Sequence, residues 1–181
     1  MNVIKTTIPG LLIIEPRVFK DARGYFFESF SQREFNELVA PVTFVQDNES
    51  KSSYGVIRGL HFQLPPYTQA KLVRCTQGRV LDVVVDMRKG SPTFGKHFSA
   101  VLSEENRLQI YIPKGFAHGF LVLSQTAVFQ YKCDEFYHPE ADSGILLSDP
   151  ALAIDWLIPE EDRIISPKDQ VRPPLRPEDA V

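Results

Sequence analysis

The segment Val80–Met87 limits the folds open to this chain more than any other stretch. Its odd positions, Leu81, Val83, Val85 and Met87, are all apolar, while its even positions run Val80, Asp82, Val84, Asp86. Successive side chains of a strand point to opposite faces, so one face of this segment belongs wholly in a core and the other carries carboxylates. Further runs at Phe26–Phe30, Val42–Gln46, Val56–Gln63, Lys71–Cys75, Phe98–Leu102, Leu108–Ile112, Phe120–Leu123 and Ala127–Cys133 are separated by Gly, Pro, Asn or Ser. Many short strands punctuated in this way predict an all-β chain, an antiparallel sandwich or barrel. The 14 prolines, above the average share of about 5%, fit strands joined by turns.

One helix start stands out. Ser31 followed by Glu34 reads as a capping box, with Phe30 and Phe35 at the two staple positions. Phe35, Leu38 and Val39 then form one apolar face, and Pro41 ends it.

With 181 residues, 43% of them hydrophobic and 24% charged, the chain reads as one ordinary globular domain rather than a disordered segment or a coiled coil. The expected division is a core over about residues 8–158 and a proline- and charge-rich segment, 159–181, lying across its surface. A net charge of −3 and a pI of 5.8 argue against nucleic acid as the main partner. The short apolar run Leu11–Ile14 is neither a signal peptide nor a membrane span, which points to a cytoplasmic protein with no membrane partner. Cys75 and Cys133 lie far apart in apolar surroundings and read as two reduced core residues.

Of the four histidines, two lie in dense motifs: His61 with Gly55 and Gln63, and His118 with Pro113 and Gly115. Both motifs resemble the signatures of the cupin superfamily, in which a double-sheet barrel gathers three histidines and a glutamate around a metal. Here Gln63 stands where a second histidine would, and no glutamate follows at the expected distance. Two histidines alone make a poor metal site, so no metal and no other cofactor is expected. His97 and His138 read as structural or solvent-facing.

The resemblance then sharpens. Arg23-Gly24-Tyr25-Phe26-Phe27-Glu28, Phe44-Val45-Gln46-Asp47-Asn48, Arg58-Gly59-Leu60-His61-Phe62-Gln63, Lys71-Leu72-Val73-Arg74, Ser91-Pro92-Thr93-Phe94-Gly95, Ile112 to Phe120 and Ser166-Pro167-Lys168-Asp169 look like the dTDP-4-dehydrorhamnose 3,5-epimerase family, in its order, over Arg23 to Asp169. The resemblance implies a cupin-type double-sheet β-barrel, or jelly roll, with short peripheral helices. It also implies a dTDP-4-keto-6-deoxyhexose substrate and an isomerase that forms dTDP-4-dehydro-L-rhamnose without a metal.

By the same resemblance His61 is the catalytic base, Asp169 orients its imidazole, and Tyr131 is the general acid. Histidine suits the first role because its unperturbed pKa of about 6.5 leaves neutral imidazole available at cell pH. Lys71 is the candidate partner of the enolate. Were the turn at Gln77-Gly78 an even-numbered hairpin, Asp82 would share a face with Lys71 and hold its ammonium. Arg23, Arg58 and Lys168 match nucleotide-sugar contacts, and guanidinium forks suit a diphosphate. Glu28, Gln46, Asn48 and His118 match polar contacts to base, sugar or phosphate, Tyr137 matches the aromatic that stacks on thymine, and Phe26 belongs with Arg23 and Glu28. Asp142 also matches a substrate contact, at a position where the family commonly has Glu, so that the shorter side chain shortens or removes this contact.

Three alternatives remain open at this level: an epimerase acting at C3 or C5 only, a non-catalytic sugar-nucleotide module, and a metal-dependent cupin. The joint presence of His61, Asp169, Lys71 and Tyr131 disfavours the second, and the incomplete ligand set disfavours the third. The family resemblance also implies a homodimer in which Arg23, Phe26 and Glu28 of one chain reach the site of the other. Pairing exposed strand edges across a two-fold axis would remove an aggregation liability.

Overall fold

A computed structural model describes every residue from Met1 to Val181. Its strands are β1 (Asn2–Lys5), β2 (Leu12–Glu15), β3 (Phe19–Asp21), β4 (Gly24–Phe26), β5 (Gln46–Ser53), β6 (Val56–Gln63), β7 (Lys71–Gln77), β8 (Arg79–Asp86), β9 (His97–Ser103), β10 (Gln109–Ile112), β11 (Phe116–Val122), β12 (Thr126–Cys133), β13 (Asp142–Gly144) and β14 (Ile164–Ile165). The two short helices are α1 (Gln32–Leu38) and α2 (Pro167–Gln170). One six-stranded sheet runs β1-β2-β10-β7-β12-β5, and a second runs β13-β6-β11-β8-β9 with β14 added in parallel to β6. All other pairings are antiparallel, and β3–β4 is a separate hairpin. The fold is the expected cupin-type pair of sheets.

Both faces of the second sheet are buried, which explains the pattern of β8. Val80 and Val84 face inward and pack with Val73, Cys75, Ile110, Phe120 and Phe129, contributed by both sheets. Leu81, Val83, Val85 and Met87 face outward, where Ile145, Leu147, Leu152 and Trp156 cover them. The carboxylates of Asp82 and Asp86 therefore lie on the inner face, and both are fully buried.

Helix α1 closes the outer face of the first sheet. The Ser31 side chain accepts from Glu34 N–H at 3.4 Å, and Phe30 meets Phe35 at 5.7 Å between ring centres. The Glu34 carboxylate takes the N-terminal ammonium at 2.8 Å instead of completing the box. Phe35 then packs with Ile14, Ala70, Leu72 and Tyr111.

Two expected strands are not strands. Residues 27–30 and 42–45 are irregular; their Phe30 and Phe44 instead pack against Phe35, Phe44 edge-on to both other rings, so their apolar spacing served the helix contact. The strand that follows residues 42–45 is β5, one edge of the first sheet, whose sequence Gln46-Asp47-Asn48-Glu49-Ser50-Lys51-Ser52-Ser53 carries no apolar alternation. The segment after Pro159 lies over the second sheet and is tied into it: β14 extends β6, and Leu175 and Val181 pack on its outer face. No helix is long and apolar enough to cross a membrane.

Candidate active site

The inner faces of the two sheets part at one end around a cavity of about 710 Å³. On the first sheet, β7 and β12 alternate so that Lys71 and Tyr131 face inward while Leu72, Arg74, Gln130 and Lys132 face outward. The Lys71 ammonium lies 5.9 Å from the centre of the Tyr131 ring. On the second sheet, His61 and His118 are directly paired across β6 and β11.

A bulge decides which side chains of β6 reach this cavity. His61 pairs with His118 and Arg58 with Phe120, so three steps along β6 match two along β11. Residues three apart in a regular strand face opposite ways; the extra residue puts Arg58 and His61 on the same inner face. Glycines make this possible. Gly59 has φ 148°, and a Cβ there would come within 2.6 Å of the Gly119 Cα.

His61 Nε2 is 2.6 Å from Asp169 Oδ1. Asp169 sits on α2 and is only 4% exposed, so the C-terminal segment delivers a buried site carboxylate. Burial pushes the Asp169 carboxyl up, but the hydrogen bond and charge of His61, with bonds from Ser166 and the Gly59 backbone, hold it below the usual range. An ionised Asp169 accepts, which places the ring proton on His61 Nε2 and leaves Nδ1 as the basic nitrogen. Burial, joined by the charge of Cys133 and opposed by Arg58, pushes the Tyr131 phenol up. It stays a proton donor at neutral pH. Burial pushes the Lys71 ammonium down, opposed by Cys133, Asp82 and Asp142.

Lys71 and Asp82 do not pair. The chain passes from the first sheet to the second at Gly78, so β7 and β8 are not a hairpin and share no cross-strand register. Asp82 Oδ2 bonds instead to His118 Nε2 at 2.8 Å, and Asp82 Oδ1 has no hydrogen-bond partner. His118 is thereby a buried member of a second histidine–aspartate pair beside the first.

Arg58, Tyr137, Asp142 and Lys168 also line the cavity. Arg58 Nε donates to Ser52 Oγ at 3.1 Å and has no carboxylate partner. Gln46 and Asn48, on β5, border an adjoining recess shared with His61, Lys71, Tyr131 and Tyr137. Gln46 accepts from Tyr137 N–H at 3.0 Å. Gln63, in the place of a metal ligand, has its polar atoms engaged by Tyr67 O, Phe136 O and His138 N–H. No group of three or more His, Cys, Asp or Glu side chains is placed to hold a metal ion.

Arg23, Phe26 and Glu28 are not brought to this cavity within one chain. Arg23 is 90% exposed and pairs with Asp21 on its own hairpin, Phe26 is 69% exposed, and Glu28 borders a crevice beside Phe35.

A family model described as dTDP-4-dehydrorhamnose 3,5-epimerase matches residues 5–177. The chain belongs to the dTDP-4-dehydrorhamnose 3,5-epimerase family. It is 57% identical over 172 residues to the Escherichia coli dTDP-4-dehydrorhamnose 3,5-epimerase, covering 94% of this chain and 92% of that one. The Elizabethkingia anophelis dTDP-4-dehydrorhamnose 3,5-epimerase superposes with a TM-score of 0.92 at 55% identity, covering 96% of each chain. A Legionella pneumophila dTDP-6-deoxy-D-glucose-3,5-epimerase, solved in complex with dTDP-4-keto-L-rhamnose, gives a TM-score of 0.92 at 51% identity, covering 96% of this chain and 92% of that one.

Relative to the family motifs, sequence reasoning missed Arg172 and the partnership of Asp82 with His118. Arg172 lines the cavity and bonds Asp142 at 3.0 Å. Its only signal was a basic residue four positions past Lys168, too weak to single out. The Asp82 pairing could have been reached only by knowing that Gly78 changes sheets.

Proposed function

We propose that this chain is a dTDP-4-dehydrorhamnose 3,5-epimerase, converting dTDP-4-dehydro-6-deoxy-D-glucose to dTDP-4-dehydro-L-rhamnose in dTDP-L-rhamnose formation. The observation that carries the reading is the division of labour between facing sheets. A carboxylate-oriented histidine stands on one wall of the cavity, and a phenol beside an ammonium stands on the other.

The 4-keto group acidifies the hydrogens at C3 and C5. His61 Nδ1 takes such a proton, and the electron pair of the broken C–H bond moves into an enolate on the former keto oxygen. Asp169 stabilises the imidazolium that forms. Lys71 supplies positive charge for the enolate, a fixed charge being worth most in a water-poor site. Tyr131 then gives its proton to carbon from the opposite face, which inverts the centre. Solvent reprotonates the phenolate and removes the proton from His61, and the cycle repeats at the second carbon. Arg58 and Lys168 face the diphosphate, and Tyr137 stacks on thymine, with Gln46 and Asn48 beside it.

The active form is a homodimer in this reading. The hairpin β3–β4 belongs to neither sheet and leaves Phe19, Tyr25 and Phe26 exposed, and β5 is an eight-residue edge with one side unpaired. Both features suit a second copy that completes each site with Arg23, Phe26 and Glu28.

Incubation with dTDP-4-keto-6-deoxyglucose in deuterated water, followed by NMR, tests the reaction. Exchange and inversion at both C3 and C5 is the expected result. Exchange at one centre alone makes this a single-centre epimerase, and none at either centre overturns the reading.

A further inference from the structure

Two cations beside the cavity converge on one oxygen. Lys168 Nζ and Arg172 Nη2 both donate to Asp142 Oδ2, Arg172 at 3.0 Å. The two differ in freedom: the Lys168 side chain is 62% exposed and that of Arg172 only 12%. Arg172 lies against Gly144, where an added Cβ would be 3.0 Å from its Nε, so the strand leaves room for the guanidinium. Arg172 Nε is buried without a hydrogen-bond partner, an unusual cost for a side chain that serves only to hold a surface segment. Asp142 stays ionised: burial pushes its carboxyl up, and the bonds and charges of Lys168 and Arg172 hold it below the usual range. A carboxylate oxygen thus occupies the point where two cations meet on a cavity wall, an arrangement that an oxygen of a diphosphate would also satisfy.

We propose that Asp142 is an internal counter-ion, anchored by Arg172, that competes with the diphosphate of the substrate for Lys168. This deepens the functional reading above and rests on it, since that reading makes a nucleoside diphosphate the anion. On binding, the exposed Lys168 exchanges Asp142 Oδ2 for a phosphate oxygen. Arg172 remains on Asp142 and keeps the half-buried carboxylate partnered. Arg172 is therefore a positioning residue, acting through Asp142 on how readily Lys168 is released.

The arrangement dictates opposite signs for two neutralising substitutions. Asp142→Asn removes the competitor and frees both cations for an incoming anion. Arg172→Gln leaves Asp142 wholly to Lys168 and strengthens the competitor. A clamp that merely shapes the site would weaken anion binding in both variants, and an Asp142 that directly contacts the ligand would weaken it in the first.

The test is calorimetric titration of the full-length protein and its variants with inorganic pyrophosphate, and with thymidine as the uncharged control. Expected are pyrophosphate binding roughly threefold tighter in Asp142→Asn and roughly threefold weaker in Arg172→Gln, the scale of one part-exposed ion pair. Arg172→Lys should bind like the wild type, and thymidine affinity should be equal throughout. Weaker or unchanged binding in Asp142→Asn, wild-type binding in Arg172→Gln, or no pyrophosphate binding by any of the proteins overturns the counter-ion. Should Arg172→Gln fail to fold, the sign in Asp142→Asn decides alone. Turnover of the keto sugar by the wild type separates the two readings. An active enzyme without opposed shifts loses only the counter-ion, and opposed shifts in an inactive protein lose only the epimerase.

Discussion

At the scale of single residues, the site asks different things of groups that look alike. Asp169 is an acceptor on a ring that must carry charge transiently, and Asp169→Asn keeps its shape while removing that charge. We expect kcat to fall by on the order of a hundredfold to ten-thousandfold with dTDP affinity nearly unchanged, as read from steady-state kinetics and calorimetry. An unchanged kcat would remove Asp169 from the chemistry. Lys71 has no hydrogen-bonded carboxylate, and burial opposes its charge. Replacing it by Met removes that opposition and retains the alkyl packing. The expected outcome of Lys71→Met is a melting temperature equal to or above that of the wild type together with a loss of roughly a hundredfold or more in kcat. A variant that melts lower, or one that turns over normally, contradicts the role given to Lys71.

At the scale of elements, the close approach of β6 and β11 is what brings Arg58 and His61 to one face. A Cβ on Gly119 would stand 2.7 Å from Arg58 O and 2.9 Å from the Gly59 Cα. Gly119→Ala should therefore cost about 1–3 kcal/mol in urea unfolding, through overpacking against backbone that cannot yield. Its kcat should fall as well, because the strain is released at the bulge that aims His61. The end of β8 carries a separate stability device. Burial pushes the Asp86 carboxyl up, but bonds from Arg88, Ser91 and Thr93 more than offset this and bring it from 3.8 to about 2. Since the folded value is the lower one, the contribution is fully present above about pH 4 and is lost as pH falls toward 2. Between those limits the wild type should lose about 2 kcal/mol that Asp86→Asn does not lose. Parallel unfolding curves of the two proteins across pH 5 to 2 would refute this.

At the scale of the whole molecule, the residues left outside the cavity matter most. Arg23 and Phe26 stand exposed on the β3–β4 hairpin, and Glu28 follows it in the chain; none of the three lines the cavity of its own chain. If a second copy receives them, Arg23→Ala and His61→Ala proteins, each inactive alone, should regain activity when mixed under conditions that allow subunit exchange. Each mixed dimer would hold one site with both defects and one with neither, so up to half of its sites would be intact. Verified exchange without recovered activity would show that each site is complete within one chain.

The chain by itself determined much of this. Its alternation in Val80–Met87 specified a strand buried on one face with acids on the other, because side-chain direction in a strand is a matter of parity alone. The cap at Ser31 and the staple of Phe30 on Phe35 likewise specified α1, since both are contacts between near neighbours. The pattern of motifs carried the family and, through it, the candidates His61, Tyr131, Lys71 and Asp169. Parity also explains what could not be read. β5 is a polar edge strand held by its pairing with β12, so it has no apolar rhythm of its own. The bulge at Gly59 resets the parity of β6 and aligns Arg58 with His61, and the passage between sheets at Gly78 gives Asp82 to His118 rather than to Lys71. Those outcomes depend on which backbone lies beside which, a choice made by the packing of the two sheets against each other and not by any local run of residues.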